Sequence, residues 1–379
     1  MINFNEPPYT GKEIEYIGET IKNKKICGDG IFSKKCSKWM EEEFKATRVL
    51  LTTSCTHALE MSAILAEIKP NDEVIMPSFT FVSTANAFVL RGAKIIFVDI
   101  RPDTMNIDET KIESAISSRT KAIVVVHYAG IACEMDTIKR IAQKHALFLI
   151  EDAAQGVMST YKGQALGTIG DFGSYSFHET KNYSMGEGGA IIINQPSYVE
   201  RAEIIREKGT NRSKFFRGEI AKYTWVDQGS SYLPSDINAA YLWAQLEMAE
   251  IIKKNRMDSW NRYHENLEAL EVKGFIRRPV VPKECQHNAH IYYIKTTDIE
   301  ERSKLIEYLR KHNILAVFHY IPLHSSEAGL MYSRFNGEDE YTTRESEKLV
   351  RLPMYYGIKK EDIEYIVSCI YDFYLHKVR

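Results

Sequence analysis

The sequence predicts an α/β fold with a mostly parallel sheet, followed by a smaller C-terminal α/β domain. Two observations support this prediction. From about residue 48 to residue 207, short β-rich segments alternate with helical patterns, which is the order expected of βα units. Several β-rich segments are apolar on both faces, including Ile-Val-Val-Val at 123–126 and Leu-Phe-Leu-Ile at 147–150. Such strands are typical of a sheet that helices cover on both sides.

The elements of the larger part follow in chain order. Residues 11–45 are predicted to form two amphipathic helices separated by the turn Gly28-Asp29-Gly30. The predicted strands are 48–52, 73–76, 94–99, 122–127, 147–151, 173–177 and 190–194. Helices are predicted between them near 56–67, 80–91, 108–116, 135–145 and 197–207.

The C-terminal third of the chain has a different pattern. Residues 235–270 carry a long helical pattern without Gly or Pro. The segments 290–296, 301–311, 315–320 and 360–374 are predicted to be strand, helix, strand and helix of the smaller domain. We place the domain boundary near 235–255, and we expect a large domain over 1–240 and a small domain over 241–379.

Composition excludes several classes of protein. The chain has 379 residues, is 44% hydrophobic, and has a formal net charge of −2, so no broad basic surface for nucleic acid or an anionic membrane is expected. Six cysteines are scattered without a C-x-x-C pair, which argues against a metal site or a disulfide scaffold. No signal peptide or membrane span is visible in the sequence. We therefore expect a cytoplasmic enzyme without a metal.

Two residues at predicted strand ends together indicate a cofactor. Asp152 follows an apolar strand, where a helix cap or loop carboxylate is the commoner interpretation. Lys181 follows a second strand, where a solvated surface lysine is the commoner interpretation. As a pair they supply what pyridoxal phosphate needs, because a sheltered lysine can condense with the aldehyde and a carboxylate can keep the pyridine nitrogen protonated.

The phosphate of such a cofactor needs hydrogen-bond donors. The turn Ser54-Cys55-Thr56-His57 opens a predicted helix after the first strand, and a helix N-terminus of this kind presents free N–H groups. A simple Ser/Thr helix cap is the alternative interpretation. Ser176 adds a further hydroxyl. The segment from His319 through Tyr320 to His324 gathers polar rings at a predicted strand end, where a structural role and substrate contact are equally expected.

These residues resemble a known family. The combination of Glu151-Asp152-Ala153-Ala154-Gln155-Gly156, Ser176-Phe177-His178-x-x-Lys181-Asn182 and Glu187-Gly188-Gly189 is similar to the sugar-nucleotide aminotransferases of the DegT/DnrJ/StrS family over nearly the full length. The resemblance implies the aspartate-aminotransferase fold, with a mostly parallel seven-stranded sheet in the large domain. It implies these roles: Lys181 binds the cofactor aldehyde, Asp152 pairs with the pyridinium, Gln155 bonds the ring hydroxyl, Phe81 stacks on the ring, and Thr56, His57 and Ser176 hold the phosphate.

Further stretches resemble those family members that act at C4 of dTDP sugars. They include 74–86, 126–130, 205–212, 223–225, 229–233 and 318–324. The resemblance implies transfer of an amino group from L-glutamate to dTDP-4-keto-6-deoxy-D-glucose, which gives dTDP-4-amino-4,6-dideoxy-D-galactose and 2-oxoglutarate in two half-reactions. The local basic cluster of Arg212, Lys214 and Arg217 is expected either to bind the sugar diphosphate or to be a solvated loop.

Members of this family form homodimers that build each active site from both subunits. In many of them an asparagine reaches the phosphate in the other subunit, and Ser231, with a shorter side chain, stands at that position here. Three alternatives stay open from the sequence. They are a dehydratase of the same fold, which has histidine in place of the Lys181 equivalent, a transaminase that acts at C3 or gives the equatorial C4 product, and a sugar-nucleotide binder without activity.

Overall fold

The computed structural model describes residues 1–376, and its helices and strands alternate along most of the chain. The helices are α1 Glu13–Lys22, α2 Ile31–Phe44, α3 Cys55–Leu65, α4 Val82–Val89, α5 Glu109–Ile112, α6 Met135–Lys144, α7 Val199–Arg206, α8 Arg212–Phe216, α9 Asp236–Leu246, α10 Ala249–Asn266, α11 Glu268–Val272, α12 Ile299–Lys311, α13 Glu327–Tyr332, α14 Thr342–Lys348 and α15 Lys360–His376. The strands are β1 Arg48–Thr52, β2 Glu73–Pro77, β3 Lys94–Val98, β4 Thr120–Val126, β5 Phe148–Asp152, β6 Thr160–Tyr161, β7 Gln164–Ala165, β8 Phe172–Ser176, β9 Gly189–Ile193, β10 Cys285–Gln286, β11 Tyr292–Lys295, β12 Ser333–Phe335 and β13 Leu349–Leu352.

One large sheet organises the fold. Its eight strands lie in the order β1-β9-β8-β5-β4-β2-β3-β12. Strand β9 runs antiparallel to its neighbours β1 and β8, and the other pairs are parallel. The predicted mostly parallel α/β sheet is therefore confirmed, with its seven predicted strands in place. The sheet has eight strands rather than seven because Ser333–Phe335, from the C-terminal part of the chain, pairs with β3 at the edge.

The strands are apolar on both faces because the sheet lies between two hydrophobic layers. In β4, Ile123 and Val125 pack into one layer, whereas Ala122 and Val124 pack into the other. Alternate side chains of a strand point to opposite faces, so both sets must be apolar when helices cover both sides. The helices α2, α6 and α9 bury residues in the first layer, and α3 and α4 bury residues in the second.

The C-terminal part has its own core, and here the sequence analysis was partly wrong. The segment 315–320 forms no strand, because Val317 makes only an isolated bridge to Arg351. The partner of β11 is instead β13, which was not predicted. The long helical pattern of 235–270 is divided into α9, α10 and α11. The domain boundary at 240/241 falls within α9 and stays a prediction.

The topology brings several strand ends to one edge of the large sheet. The parallel strands β2, β4, β5 and β8 end at Pro77, Val126, Asp152 and Ser176. Parallel strands present their carboxyl ends on the same side, and ligands of open α/β sheets bind there. Within residues 1–376, no helix is both long enough and apolar enough to cross a membrane.

Candidate active site

Asp152 is the last residue of β5 and only 5% of its surface is exposed. Its Oδ2 accepts a hydrogen bond from the Thr84 hydroxyl at 2.6 Å, and its Oδ1 accepts one from the Ala154 N–H at 3.1 Å. Burial raises the pKa of the Asp152 carboxyl, whereas these hydrogen bonds and the charge of Lys181 lower it. A cation held against this carboxylate would lower that pKa further.

Lys181 lies in the loop after β8, and its side chain is half-buried. Burial lowers the pKa of the Lys181 amine, and the neighbouring Cys55 and Asp152 oppose that effect. Lys181 and Asp152 each alter the pKa of the other, so the structure brings the two predicted residues into one site. A lowered pKa increases the fraction of neutral amine, which is the nucleophilic form of lysine.

Gln155 is held by partners from two parts of the chain. Its Oε1 accepts a hydrogen bond from the Ala129 N–H at 2.7 Å, and its Nε2 donates to the Tyr320 hydroxyl at 2.9 Å. The Tyr320 ring stacks on His319 with centroids 3.7 Å apart and lies 6.2 Å from the ring of Phe81. Phe81 itself is 57% exposed. The amide of Gln155 is thus fixed between Ala129 and Tyr320, and the aromatic residues border it.

The turn before α3 is built around Ser54, which caps the helix. The Ser54 hydroxyl accepts a hydrogen bond from the His57 N–H at 3.1 Å, and the His57 ring contacts the Thr53 hydroxyl. The Thr56 hydroxyl lies 2.7 Å from the hydroxyl of Ser83. The first helical hydrogen bond is donated by Ala58 to Ser54, so the N–H groups of Cys55 and Thr56 lie at the open donor end of the helix.

Strand β9 packs unusually close to this turn. A Cβ atom added at Gly189 would lie 2.5 Å from the Cys55 nitrogen and 2.5 Å from the Ser54 carbonyl carbon. Only glycine allows this approach, because real Cβ atoms do not come that near to backbone. Ser176 ends the adjacent strand β8, is 6% exposed, and accepts a long hydrogen bond from the His178 N–H at 3.4 Å.

The basic cluster is paired with carboxylates of the same chain. Arg212 binds Glu207 at 2.8 Å, and Arg217 binds Glu203 at 2.7 Å. Lys214 likewise binds Glu200 at 2.7 Å. These contacts attach the segment to α7 rather than to the residues around Lys181. Ser231 is exposed and forms an isolated bridge with Glu207 in the same region.

The polar rings of 319–324 divide into two groups. His319 is 9% exposed, and its Nδ1 lies 2.8 Å from the Tyr128 hydroxyl, beside Tyr320 in the site. His324 instead connects two loops, because its Nδ1 contacts the Ser78 hydroxyl at 2.7 Å and its Nε2 contacts Asp339 at 3.2 Å. The structure therefore places Tyr320 and His319 beside Gln155 and gives His324 a bridging position.

Several residues of the site were not singled out from the sequence. Thr84 makes the shortest side-chain hydrogen bond to Asp152, at 2.6 Å, and falls within the stretch 74–86, where the resemblance gave it no role. His127 is fully buried and contacts Glu151 at 2.9 Å. Asn288 and His290 line the cavity beside Lys181 although they lie more than 100 residues further along the chain. No local pattern marks such residues, because only the folded chain brings them to the site.

The side chains present fit pyridoxal phosphate. Asp152 is a buried carboxylate whose raised pKa a pyridinium would oppose, and Lys181 is an amine with a lowered pKa, close enough for the two charges to interact. The donor end of α3 and the Ser176 hydroxyl supply groups that bind a phosphate. The donor set therefore matches the heterocycle, the aldehyde and the phosphate of one cofactor.

Comparison with known proteins extends over the whole chain. Residues 8–371 match the DegT/DnrJ/EryC1/StrS aminotransferase family. MJ1066, an uncharacterized protein of Methanocaldococcus jannaschii, is 38% identical over 84% of this chain and 83% of its own. A GDP-perosamine synthase of Escherichia coli O157:H7 is 30% identical over 98% of this chain and 98% of its own.

Solved structures share the fold. The aminotransferase TlmJ from Streptoalloteichus hindustanus has a TM-score of 0.91 and 26% identity, and the similarity covers 100% of both chains. Spr1654 from Streptococcus pneumoniae, in its PLP form, has a TM-score of 0.86 and 25% identity, and the similarity covers 97% of both chains. The predicted aspartate-aminotransferase type of fold is thereby confirmed.

Proposed function

Because this chain belongs to the DegT/DnrJ/EryC1/StrS aminotransferase family and is a pyridoxal-phosphate enzyme that transaminates nucleotide sugars, we propose that its acceptor is dTDP-4-keto-6-deoxy-D-glucose. The amino donor is L-glutamate, and the products are dTDP-4-amino-4,6-dideoxy-D-galactose and 2-oxoglutarate. Support for this acceptor comes from the stretches 74–86, 205–212 and 229–233, which resemble family members that act on dTDP sugars.

The positions of the side chains support the following proposed roles. Lys181 bonds the aldehyde, Asp152 faces the ring nitrogen, and Gln155 uses its remaining amide hydrogen for the ring hydroxyl. The N–H groups of Cys55 and Thr56 and the Ser176 hydroxyl bind the phosphate, while His57, whose N–H is engaged by Ser54, shapes the turn that holds it. Phe81 stacks on the ring, and His319, Tyr320 and His324 border the sugar side.

The chemistry divides between the cofactor and the chain. Pyridoxal phosphate supplies an electron sink when bound. The Lys181 amine removes the proton from the α-carbon of L-glutamate in the first half-reaction and delivers a proton to C4 of the sugar in the second. Asp152 is buried and negatively charged, so it stabilises a positive charge on the ring nitrogen during both half-reactions.

One observation carries this assignment: Lys181, in the loop after β8, and the buried carboxylate of Asp152, at the end of β5, lie close enough for their charges to interact. The experiment is to load the purified chain with cofactor, reduce it with borohydride and identify the modified residue by peptide mass spectrometry. The expected modified residue is Lys181. Lys181→Ala should lose both the label and 2-oxoglutarate formation, and labelling of another lysine would refute the assignment.

The nucleotide is the second part of the proposal and needs its own experiment. The relative named GDP-perosamine synthase favours a GDP sugar as the alternative acceptor. Parallel incubations with dTDP-4-keto-6-deoxy-D-glucose and the corresponding GDP-keto-sugar should give a higher kcat/KM for the dTDP compound. NMR of the product then assigns the carbon and the axial or equatorial position of the amine. A product aminated at C3, or a dehydrated product, would refute the proposed reaction.

The proposal includes a homodimer with shared sites in the cytoplasm. The segment around α8 exposes four large aromatic side chains in the stretch that leads to Ser231: Phe215, Phe216, Tyr223 and Trp225. Such an exposed apolar group favours burial against a second copy. We place Ser231, Arg212 and Arg217 near the phosphates of the partner's site, where a diphosphate would compete with Glu207 and Glu203. Light scattering of the wild type and of Trp225→Ala tests the dimer, which the substitution should weaken.

A further inference from the structure

The segment that carries His319 and Tyr320 has no regular backbone pairing of its own. Residues 318–322 belong to no helix or strand, and Val317 before them makes only an isolated bridge. His319 and Tyr320 nevertheless border the sugar side of the site in our proposal. Their position therefore depends on individual contacts, above all on those that hold the two ends of the segment.

The first end of the segment is held by β13. Val317 and Arg351 exchange both of their backbone hydrogen bonds, at 3.1 Å and 2.7 Å. The Arg351 guanidinium also donates to the Phe318 carbonyl, from Nε at 3.4 Å and from Nη2 at 3.2 Å. This end is thus fixed to the sheet of the C-terminal part of the chain.

The second end is held by Ser78, the fully buried residue directly after β2. The Ser78 carbonyl accepts a hydrogen bond from the Leu323 N–H at 3.0 Å. The Ser78 hydroxyl accepts one from the His324 N–H at 3.0 Å and lies 2.7 Å from the His324 Nδ1. A single residue at the end of a large-sheet strand therefore makes three contacts with this end.

Asp339 orients the His324 ring toward Ser78. The His324 Nε2 lies 3.2 Å from the Asp339 Oδ2, and a carboxylate oxygen only accepts, so Nε2 carries a hydrogen. In the neutral ring Nδ1 is then an acceptor, and the Ser78 hydroxyl donates its one hydrogen to it. Asp339 is itself held, because its Oδ1 accepts from the Thr343 N–H at 3.1 Å.

The residue after Ser78 contacts the rings between the two ends. The Phe79 ring lies edge-to-face against Tyr320 and His319, with centroids 5.5 Å and 6.2 Å apart. The Tyr320 hydroxyl in turn accepts a hydrogen bond from the Gln155 Nε2 at 2.9 Å. The residues after β2 thus align the segment at its end and at its rings, and any shift at Ser78 reaches Tyr320.

We propose that Ser78 and His324 are positioning residues for the sugar half-reaction: the hydrogen bond from the Ser78 hydroxyl to the His324 Nδ1 fixes His319 and Tyr320 against the site. In this role His324 acts through these two rings and need not contact the sugar itself. No covalent bond is formed or broken in this step. The inference rests on the proposed function, in which the two rings border the sugar.

Two substitutions of His324 separate its ring nitrogens. His324→Asn can place an amide oxygen at the Nδ1 position, where it accepts from Ser78, but it does not reach Asp339. His324→Gln can place an amide N–H at the Nε2 position, where it donates to Asp339, but it leaves the Ser78 hydroxyl without this acceptor. The absorbance of the bound cofactor measures each half-reaction separately, first with L-glutamate and then with dTDP-4-keto-6-deoxy-D-glucose or its GDP counterpart.

The expected loss is selective. His324→Gln should lower kcat/KM of the sugar half-reaction about tenfold, mainly through KM, which is the effect of one lost buried hydrogen bond. The L-glutamate half-reaction should change much less, because this smaller donor depends less on the rings that border the sugar. His324→Asn should lose less than His324→Gln.

A double-variant cycle tests the contact itself. Ser78→Ala keeps the backbone carbonyl that binds Leu323 but removes the hydroxyl, so it should show the same selective loss. Combining Ser78→Ala with His324→Gln should be no worse than Ser78→Ala alone, since both changes remove the same hydrogen bond. Additive losses would overturn the proposed contact as the cause.

Other outcomes would also overturn the inference. Equal losses in the two half-reactions would show a purely structural role, and equal losses in His324→Asn and His324→Gln would exclude Ser78 as the relevant partner. If Ser78→Ala does not fold, the comparison of the two His324 variants decides alone. Failure of the proposed function is distinct, because it appears in the wild type as labelling of a lysine other than Lys181 or as no amination of either sugar.

Discussion

Thr84 on α4 donates its hydroxyl hydrogen to Oδ2 of Asp152 over 2.6 Å, and both side chains are buried. The Thr80 hydroxyl lies 2.8 Å from the Thr84 hydroxyl and completes a short chain that ends on the carboxylate. The α4 helix thereby orients the one carboxyl group that faces the cofactor ring in our proposal. The contact also opposes the rise in the pKa of Asp152 that burial causes.

Removal of this hydroxyl should weaken cofactor binding. Thr84→Val has nearly the same shape but leaves Asp152 with one hydrogen bond, so the pKa of the carboxyl rises further and less of the anion faces the ring. Since a hydrogen bond to a charged group contributes roughly 1.5–3 kcal/mol, the Kd for the cofactor should rise at least about tenfold. Absorbance titration of the cofactor-free protein measures it.

Thr84→Ser is the matched control, because it retains the hydroxyl and should bind the cofactor within a few-fold of the wild type. The effect should also depend on pH. Burial raises the pKa of Asp152, so the anion forms only above that raised value, and the cofactor affinity falls as the pH drops through it. Thr84→Val should move this fall to higher pH, and an unmoved profile would contradict the role of Thr84.

The rate at which the cofactor-free protein binds pyridoxal phosphate should increase with pH. It should reach its plateau at a pH below the usual pKa of lysine. The reason is that burial lowers the pKa of Lys181, so its amine becomes neutral earlier in the titration. The exposed Lys304, whose hydrogen bond to Glu300 raises its pKa, is the internal comparison. Reagent labelling of Lys181 should therefore plateau at a lower pH than that of Lys304, and the reverse order would refute a sheltered amine.

The packing of β9 against the phosphate turn predicts that Gly189→Ala is damaging. The added Cβ would lie 2.5 Å from the Cys55 nitrogen, so the strand and the turn must separate. Overpacking of this kind costs about 1–3 kcal/mol of folding free energy, and here it should also reduce the affinity for the cofactor phosphate. Denaturant unfolding and phosphate-ester competition measure the two effects.

Gly18→Ala is the control for that substitution. A Cβ at Gly18, in α1, meets no atom within 4 Å, and alanine is the better helix former. This variant should be as stable as the wild type or more stable, with unchanged cofactor affinity. If Gly189→Ala behaved like Gly18→Ala, the close approach of β9 to the turn would not matter for the site.

Strands that have a local apolar pattern could be predicted from the sequence, whereas pairing between distant segments could not. Seven of the eight strands of the large sheet were predictable because burial on both faces demands continuous apolar runs, as in 123–126, and each run is a local pattern. The edge strand β12 is only partly buried, lacks such a run and was missed. Residues 315–320 have a similar pattern, yet Val317 finds a partner at only one position, and pairing depends on a neighbour far away in the chain. Strand β13 was missed for the same reason.

The site shows the same division. Lys181 and Asp152 could be predicted because each follows a strand whose end faces the sheet edge. Thr84 and His290 could not be predicted as site residues, because a threonine on a helix and a histidine before a strand are common. Only the tertiary contacts of the folded chain place them in the site. The pairing of Arg212 with Glu207 likewise appears only in the folded chain, where α8 packs against α7.

The carboxylate of Glu151, next to Asp152 but on the opposite face of β5, should be essential for stability. Its Oε1 accepts hydrogen bonds from the N–H groups of Ile169 and Gly170, both at 2.6 Å. Its Oε2 accepts hydrogen bonds from the Gly167 N–H at 2.8 Å and from the His127 Nε2 at 2.9 Å. All four contacts are buried. One side chain of β5 thus binds three backbone N–H groups of the loop before β8, beside the separate contacts of Asp171 with Leu149.

The isosteric change Glu151→Gln cannot satisfy this arrangement. In one orientation the new amide nitrogen faces the Gly167 N–H and the His127 Nε2. In the other orientation it faces the N–H groups of Ile169 and Gly170. In both cases a hydrogen-bond donor points at other donors. His127 cannot adapt by moving its proton to Nδ1, because Nδ1 accepts from the Cys133 N–H. With two buried donors unsatisfied at about 1–3 kcal/mol each, the free energy of unfolding should fall by roughly 2–6 kcal/mol.

Denaturant unfolding of the cofactor-free protein measures this loss. The control is Glu113→Gln, at an exposed ion pair, which should unfold like the wild type. Equal stability of the two variants would show that Glu151 does not hold the loop.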